Sequence, residues 1–461
     1  MRGITRSTVA AITAALLALT ACSEQPTEVS SPSLLANRRP APPSDGVTPQ
    51  LVRQLAAQRG IGRLPQPPRV RPALVRLGRA LAFDKILSGN HDVACTTCHL
   101  PAFETGDGRS LSVGAGGTGL GPDRVPPNGA FIPRNAPPLF DLGSMRHLFW
   151  DGRVEIDSHG HFHTPAGRQV TRAMTRVFEF GPLSAQGMFP VTARSEMRGQ
   201  SGNELAAIPD SDNTAIWAGL MRRLGRIPKY REMFREAYPG VRFEDMNFAY
   251  ASNAMAGFFV SRLTFTNSPW DRFLAGNDHA LTPQQLAGAQ TFLTLKCSLC
   301  HNGATLSDDK FHDVAVAQIG PGKGNGASTR DDFGRMNISG DEGDRYLFRT
   351  SPLRNVELTG PYGHDGAYST LRSFVEHYSD SDVKLNSFDP TTLDPSLQST
   401  FLNNSNDVLA QRDTLLKGVV LTDSIVTNLM NYMTALTDDR ARNLNGLVPR
   451  RVPSGLPVDH P

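Results

Sequence analysis

A chain of 461 residues, 39% hydrophobic and 20% charged, is long enough for two or three domains with ordinary apolar cores, which sets aside a disordered or fibrous protein. The formal charge is only +3, falling to about +1 without Arg2 and Arg6, so no broad basic face for nucleic acid is implied. Five cysteines, four of them in two tight clusters, exclude a disulfide framework.

Residues 1–21 carry Arg2 and Arg6 ahead of an apolar run from Val9 to Leu19, too short to span a bilayer, and read as an export signal. Leu19-Thr20-Ala21-Cys22 has the form of a lipoprotein cleavage box. The mature chain is therefore expected to be exported to the periplasm and held by lipid on Cys22 at a membrane, most simply the outer one. Ordinary secretion is the alternative. Residues 22–72 are rich in Pro, Ser and Arg and are expected to form an extended tether, interrupted by a short helix near Leu51 to Gln58.

Order is expected from about residue 73, where Leu74, Leu77 and Leu81 recur at helical spacing and lead to Cys95-Thr96-Thr97-Cys98-His99. The pattern returns as Cys297-Ser298-Leu299-Cys300-His301. Two thiols three positions apart can each add across a vinyl group of one haem, and the following histidine can then bind the iron. Either pentapeptide alone also fits a redox dithiol or half a zinc site, but no second dithiol pair lies nearby. Two covalent c-type haems are expected.

Between the motifs, Val113 to Pro138 is rich in Gly and Pro, and a polar insertion, residues 154–185, contains His159, His161 and His163. Their alternate spacing suits a zinc or copper site on an extended segment, whereas a solvated His-rich loop is the blander reading. Residues 214–275 read as amphipathic helices, and Thr282-Pro283-Gln284-Gln285 is a capping box that starts the helix to the second motif. Leu371, Phe374, Val375 and Tyr378 share one helical face, and a last helix runs from about Ser424 to Leu436. The expected class is mainly α: two cytochrome c-like haem domains with long irregular loops, at 73–275 and 276–440, with a polar tail at 441–461.

Several ordered motifs carry a resemblance. Leu77-Gly78-Arg79, Phe83-Asp84, Arg134-Asn135-Ala136-Pro137, Phe149-Trp150-Asp151-Gly152-Arg153, Glu196-Met197, Pro352-Leu353-Arg354-Asn355-Val356 and Pro361-Tyr362-Gly363-His364-Asp365-Gly366 resemble the bacterial di-haem cytochrome c peroxidases and their relative MauG, over roughly Leu74 to Leu436. The resemblance implies that the first haem meets peroxide and the second handles electrons. It places Gln186 and Glu196 at the distal glutamine and glutamate, with Glu196 as general acid/base and Gln186 as orienter. Taken without the resemblance, Glu196 reads as a surface ion-pair partner. Trp150 matches the tryptophan between the haems, and Asn135, Thr359 and the Pro361 carbonyl match calcium ligands.

Two departures matter. The position of the histidine that closes the first haem in resting relatives falls on Ala115, which cannot ligate iron, so a five-coordinate first haem is expected; His91 and His147 are the substitutes within reach. Tyr378 stands where the peroxidases keep a methionine on the second iron, as in MauG; the alternative ligands are Met336, His364 and His377. The expected function is reduction of hydrogen peroxide with electrons from a small cytochrome c or cupredoxin. The alternatives are a MauG-like oxidase of Trp or Tyr in a partner protein, and a non-catalytic electron carrier. Homodimers are common among the relatives.

Overall fold

In a computed structural model, which describes residues 46–126 and 130–460, helices dominate and the sheets are small. The signal segment, Cys22 and residues 22–45 of the expected tether lie outside the described residues. Among those described, no helix is long and apolar enough to cross a membrane.

The described chain opens with α1 (Pro49–Gln58), capped by the Thr48 hydroxyl. Its Val52 and Ala56 are buried one helical turn apart and, with Ile61, join a core formed mainly by residues beyond 270. Arg53 lies 4.4 Å from the Phe273 ring centroid and donates to the Phe273 carbonyl. This corrects the tether: from residue 46 the segment is packed, its few apolar side chains having been hidden among prolines.

The first core begins with α2 (Pro72–Phe83), which has proline at its first position and buries Leu74, Leu77 and Leu81. It leads to α3 (Cys95–Cys98), a single turn made by the first motif. The 154–185 insertion is more than a solvated loop. The strands β1 (His147–Leu148), β2 (Val154–Ile156) and β3 (Phe162–His163) form an antiparallel sheet in that order, with His147 opposite Glu155 and Glu155 opposite His163. Val154, Ala166, Met174 and Phe178 enter the core, the last two around α4 (Arg172–Thr175). Then come α5 (Pro182–Gln186), α6 (Asn213–Gly225), α7 (Pro228–Ala237) and α8 (Phe248–Leu263). α8 crosses α2 so closely that a Cβ on Gly78 would lie 1.8 Å from the Ala254 carbonyl oxygen.

The second core repeats the device. In α9 (Pro269–Leu274), Trp270 stacks on Phe273 and meets the edge of Tyr432. The boundary between the cores therefore precedes α9, rather than following residue 275. α10 (Pro283–Thr294) starts with the expected Thr282–Gln285 box and runs to α11 (Cys297–Cys300). Beyond it come β4 (Phe311–His312), α12 (Met336–Ser339), β5 (Phe348–Arg349), which pairs with β4, α13 (Leu371–His377), α14 (Ser381–Asn386), α15 (Ser405–Gln411) and α16 (Asp423–Ala435). α16 meets α10 at Gly288, where a Cβ would lie 2.1 Å from the Asn428 carbonyl oxygen.

The tail is docked rather than free. Arg79 donates to the Leu447 carbonyl at 2.7 Å, and Val452 is buried against Val75 and Phe83. Buried Asp459 accepts from the Thr97 hydroxyl, inside the first motif, at 2.5 Å and pairs with Lys85 at 2.6 Å. The tail thus packs on the first domain although it leaves the second.

Candidate functional site

Both motif histidines are held alike. His99 donates through Nδ1 to the Thr105 carbonyl at 2.8 Å, and His301 through Nδ1 to the Leu306 carbonyl at 3.1 Å, which leaves each Nε2 for iron. The accepting carbonyls belong to non-glycine residues in the left-handed region, Thr105 at φ 71° and Leu306 at φ 57°. Burial lowers both imidazole pKa values and so favours the neutral, ligating form. Burial also pushes the Cys95 and Cys297 thiols up to about 12, opposite to the depressed thiol of a redox dithiol.

Beside the first motif lies a cavity of about 1050 Å³, counting space open to solvent. Its wall is apolar where Val93, Ile132, Leu139, Met255 and Phe259 contribute, and Cys95, Cys98 and His99 open onto it. Arg153 and, from the second half, Lys323 bring positive charge suited to propionates. These features fit a covalent haem.

Gln186, Glu196 and Trp150 line this same cavity. Gln186 ends α5. Glu196 sits on a single π-helical turn, Arg194–Arg198, a rare geometry that re-aims side chains. It is about a quarter exposed, and its carboxylate is 3.9 Å from Arg153, whose guanidinium stacks 3.6 Å from the Phe149 ring centroid. The Trp150 indole donates to the Asn135 carbonyl at 2.9 Å, while its own carbonyl accepts the Arg349 N–H, from β5, at 2.8 Å. It therefore touches both halves.

Ala115 is buried, and its N–H reaches the carbonyls of Ser195 and Glu196 at 3.2 and 3.0 Å. Neither substitute histidine lines the cavity: His91 is exposed, and His147 lies between Glu155 and Asp309 at 3.5 and 3.4 Å.

At the second motif, Tyr378 follows α13. Burial, with smaller contributions from the Cys300 and Cys297 sulfurs, raises its hydroxyl pKa. His377 is turned away, with Nε2 on the Val314 carbonyl and Nδ1 on the Tyr368 hydroxyl, each at 2.7 Å. Buried His364 stacks on Phe348 at 3.7 Å. Met336 is half-buried at the start of α12. His312, which the sequence reading missed, lies 3.9 Å from the Cys300 sulfur between Asp308 (3.1 Å) and Asp413 (2.5 Å). Its signal was the Asp308–His312 spacing.

Asn135 donates through Nδ2 to the carbonyls of Arg109 and Ser110 and through N–H to the His364 carbonyl, so its Oδ1 is left to face a cation. Thr359 spends its hydroxyl proton on the Val356 carbonyl. Next to Asn135, buried Arg134 holds Asp332 with two bonds of 2.6 and 2.8 Å and pairs with Asp151 at 2.6 Å, joining the halves.

Fold and site together define a c-type cytochrome with two haem-attachment sites, one of them opening on a large cavity with a carboxylate in its wall. The family model "Di-haem cytochrome c peroxidase" matches residues 72–279. The cytochrome c551 peroxidase of Pseudomonas aeruginosa is 30% identical over 65% of this chain and 69% of its own. The methylamine utilization protein MauG of Methylorubrum extorquens is 28% identical over 67% and 69%. Among solved structures, a MauG-like protein associated with microbial copper homeostasis superposes with a TM-score of 0.58 at 25% identity, over 83% of this chain and 95% of that one. The chain belongs to the di-haem cytochrome c peroxidase family.

Proposed function

We propose that this di-haem peroxidase reduces hydrogen peroxide in the first cavity with Glu196 as the proton-transfer group, drawing electrons through the second haem from a small cytochrome c or cupredoxin. The observation that carries the reading is that Glu196 and Gln186 line one cavity with Cys95, Cys98 and His99. A c-type haem held by Cys95, Cys98 and His99 would supply the electrons for cleavage of the O–O bond. Glu196 takes the proton from one peroxide oxygen and gives it to the other, so that water leaves, and the Gln186 amide hydrogen-bonds and orients the peroxide. Ala115 at the position of the displaceable histidine supports a first haem that is five-coordinate at rest. Family membership sets the electron-carrier alternative aside.

Glu196→Gln keeps the side chain's shape and removes its proton transfer. The expected result is unchanged ferric spectra with peroxide consumption slowed about 10²- to 10⁴-fold. Unaltered kinetics in stopped-flow mixing would remove Glu196 from the mechanism.

A second reading, peroxide-driven oxidation of Trp or Tyr in a partner protein, is favoured by Tyr378, which directly follows α13 at the position where the peroxidases keep a methionine. A hard phenolate donor lowers the reduction potential relative to a thioether, which suits storage of oxidising equivalents better than electron entry. Steady turnover with reduced cytochrome decides between the two, because the oxidase should sustain little.

Calcium held by Asn135, Thr359 and the Pro361 carbonyl would brace the turn between the halves; oxygen donors suit it, with waters completing the shell. Export, lipid on Cys22 and work on the periplasmic side of the outer membrane are supported by the Arg2 to Cys22 pattern, and a homodimer by the family's habit. Loss of labelled palmitate in Cys22→Ser tests the anchor.

A further inference from the structure

We infer that the β2–β3 hairpin binds a divalent first-row transition ion through Asp157, His161 and His163, with Cu²⁺ held most tightly. Two imidazoles converge on one carboxylate oxygen: His161 Nδ1 is 3.2 Å and His163 Nε2 is 3.1 Å from Asp157 Oδ2. The carboxylate is itself pinned, because Oδ1 accepts the N–H groups of His159 and His161 at 2.8 and 2.9 Å. The Asp157 N–H meets the His161 carbonyl at 3.0 Å, so these residues face each other across the ladder. His163, two positions on, falls on the same face.

The sequence offered three histidines at alternate positions, which alone fix no ligand set. The fold supplies the carboxylate that completes the set, and imidazole with carboxylate is the donor combination of Zn²⁺, Ni²⁺ and Cu²⁺ sites. The His161 and His163 side chains are 75% and 57% exposed, so they are free to swing inward to bonding distance and open to ions from solution. His159, with its ring centroid 6.2 Å from that of His161, is within reach as a further ligand.

Neighbouring groups do not compete. Glu155, next along the face, is held by Arg335 at 2.8 Å. Among the described residues, the cluster whose donor atoms already lie within 4.8 Å of one another is Cys300, Asp308 and His312, and it loses its thiol to the second haem; at the hairpin the two imidazoles, each already on Asp157, have to close on the ion. Neither haem attachment nor peroxide chemistry uses the hairpin histidines, so the site is separate from the machinery above.

The test is calorimetric titration of the chelator-treated, haem-loaded full chain with Zn²⁺, followed by Cu²⁺ with EPR detection. Wild type should take up one Zn²⁺, displaceable by Cu²⁺ whose signal shows nitrogen couplings from at least two imidazoles. In the His161→Ala/His163→Ala variant the affinity should fall at least about 100-fold, more than loss of an outer partner alone would cause. The haem bands should stay unchanged, which confirms that the variant is folded. Failure of wild type to bind either ion, or equal binding by the variant, would overturn the assignment.

Discussion

Asp141 is 2% exposed, yet only one of its carboxylate oxygens is bonded in the fold: Oδ1 accepts the Phe265 N–H at 2.9 Å, and Oδ2 has no partner. Burial pushes its carboxyl up to about 7, with Arg354 opposing too weakly to restore it. The unfolded chain releases this proton near pH 4 whereas the fold retains it, so stability declines as pH rises from about 4 to 7 and stays reduced above. Asn accepts the same bond and tolerates the left-handed backbone at φ 59°. Asp141→Asn should therefore stabilise the protein by at most about 4 kcal/mol at pH 8 and by nothing below pH 4. Urea denaturation at both pH values checks this, and equal gains would contradict it. Asp151 shows the opposite sign: burial would raise it, but Arg153 and Arg134 hold it well below the usual range. Its contribution is present above about pH 4 and is lost as pH falls further. Tyr378 poses a residue-scale question of another kind, whether its hydroxyl is the second axial donor at haem two. Tyr378→Phe removes only that oxygen, so the absorption and EPR signals of the second haem should change while those of the first persist; an unchanged spectrum would return Tyr378 to core packing.

At the scale of elements, each core rests on a helix crossing too close for any side chain. Gly288→Ala sets a methyl group against the Asn428 carbonyl, and because the obstacle is backbone the helices must part, at a cost of about 1–3 kcal/mol. Thermal unfolding of the haem-loaded protein should show it, with the second haem's spectrum disturbed first. These helices were legible because their signals are local: leucines at helical spacing in α2, the Thr282–Gln285 box of α10, and the apolar face of α13. The haem motifs were legible for the same reason. Illegible were features whose partners lie far along the chain. Nothing near Val52 or Ile61 announces Phe273, and nothing near Asp459 announces Thr97. The hairpin escaped because strands of two or three residues are too short to alternate. The carbonyls that orient His99 and His301 escaped because a threonine or leucine at positive φ leaves no trace in residue type.

Across the whole molecule, the two ends of the described chain are exchanged. α1 precedes the first domain but packs in the second core, and the tail follows the second domain but covers the first motif. The halves are thus bound by crossing segments as well as by the Arg134–Asp332 pair, and the distance between the two haem sites is fixed by both. Within that frame Trp150 is the residue that touches the first cavity, the Asn135 carbonyl and β5 at once. If its indole relays oxidising equivalents between the sites, Trp150→Phe should leave the first haem's reaction with peroxide intact and slow the subsequent oxidation of the second, seen as a lag between their bands in stopped-flow spectra. Phenylalanine keeps an aromatic ring in place but strands the Asn135 carbonyl, which costs about 1–3 kcal/mol if water does not replace the donor. Measuring stability alongside the lag separates the roles: a stability loss with no lag makes Trp150 a brace between the halves, whereas a lag that persists under stabilising conditions makes it the path.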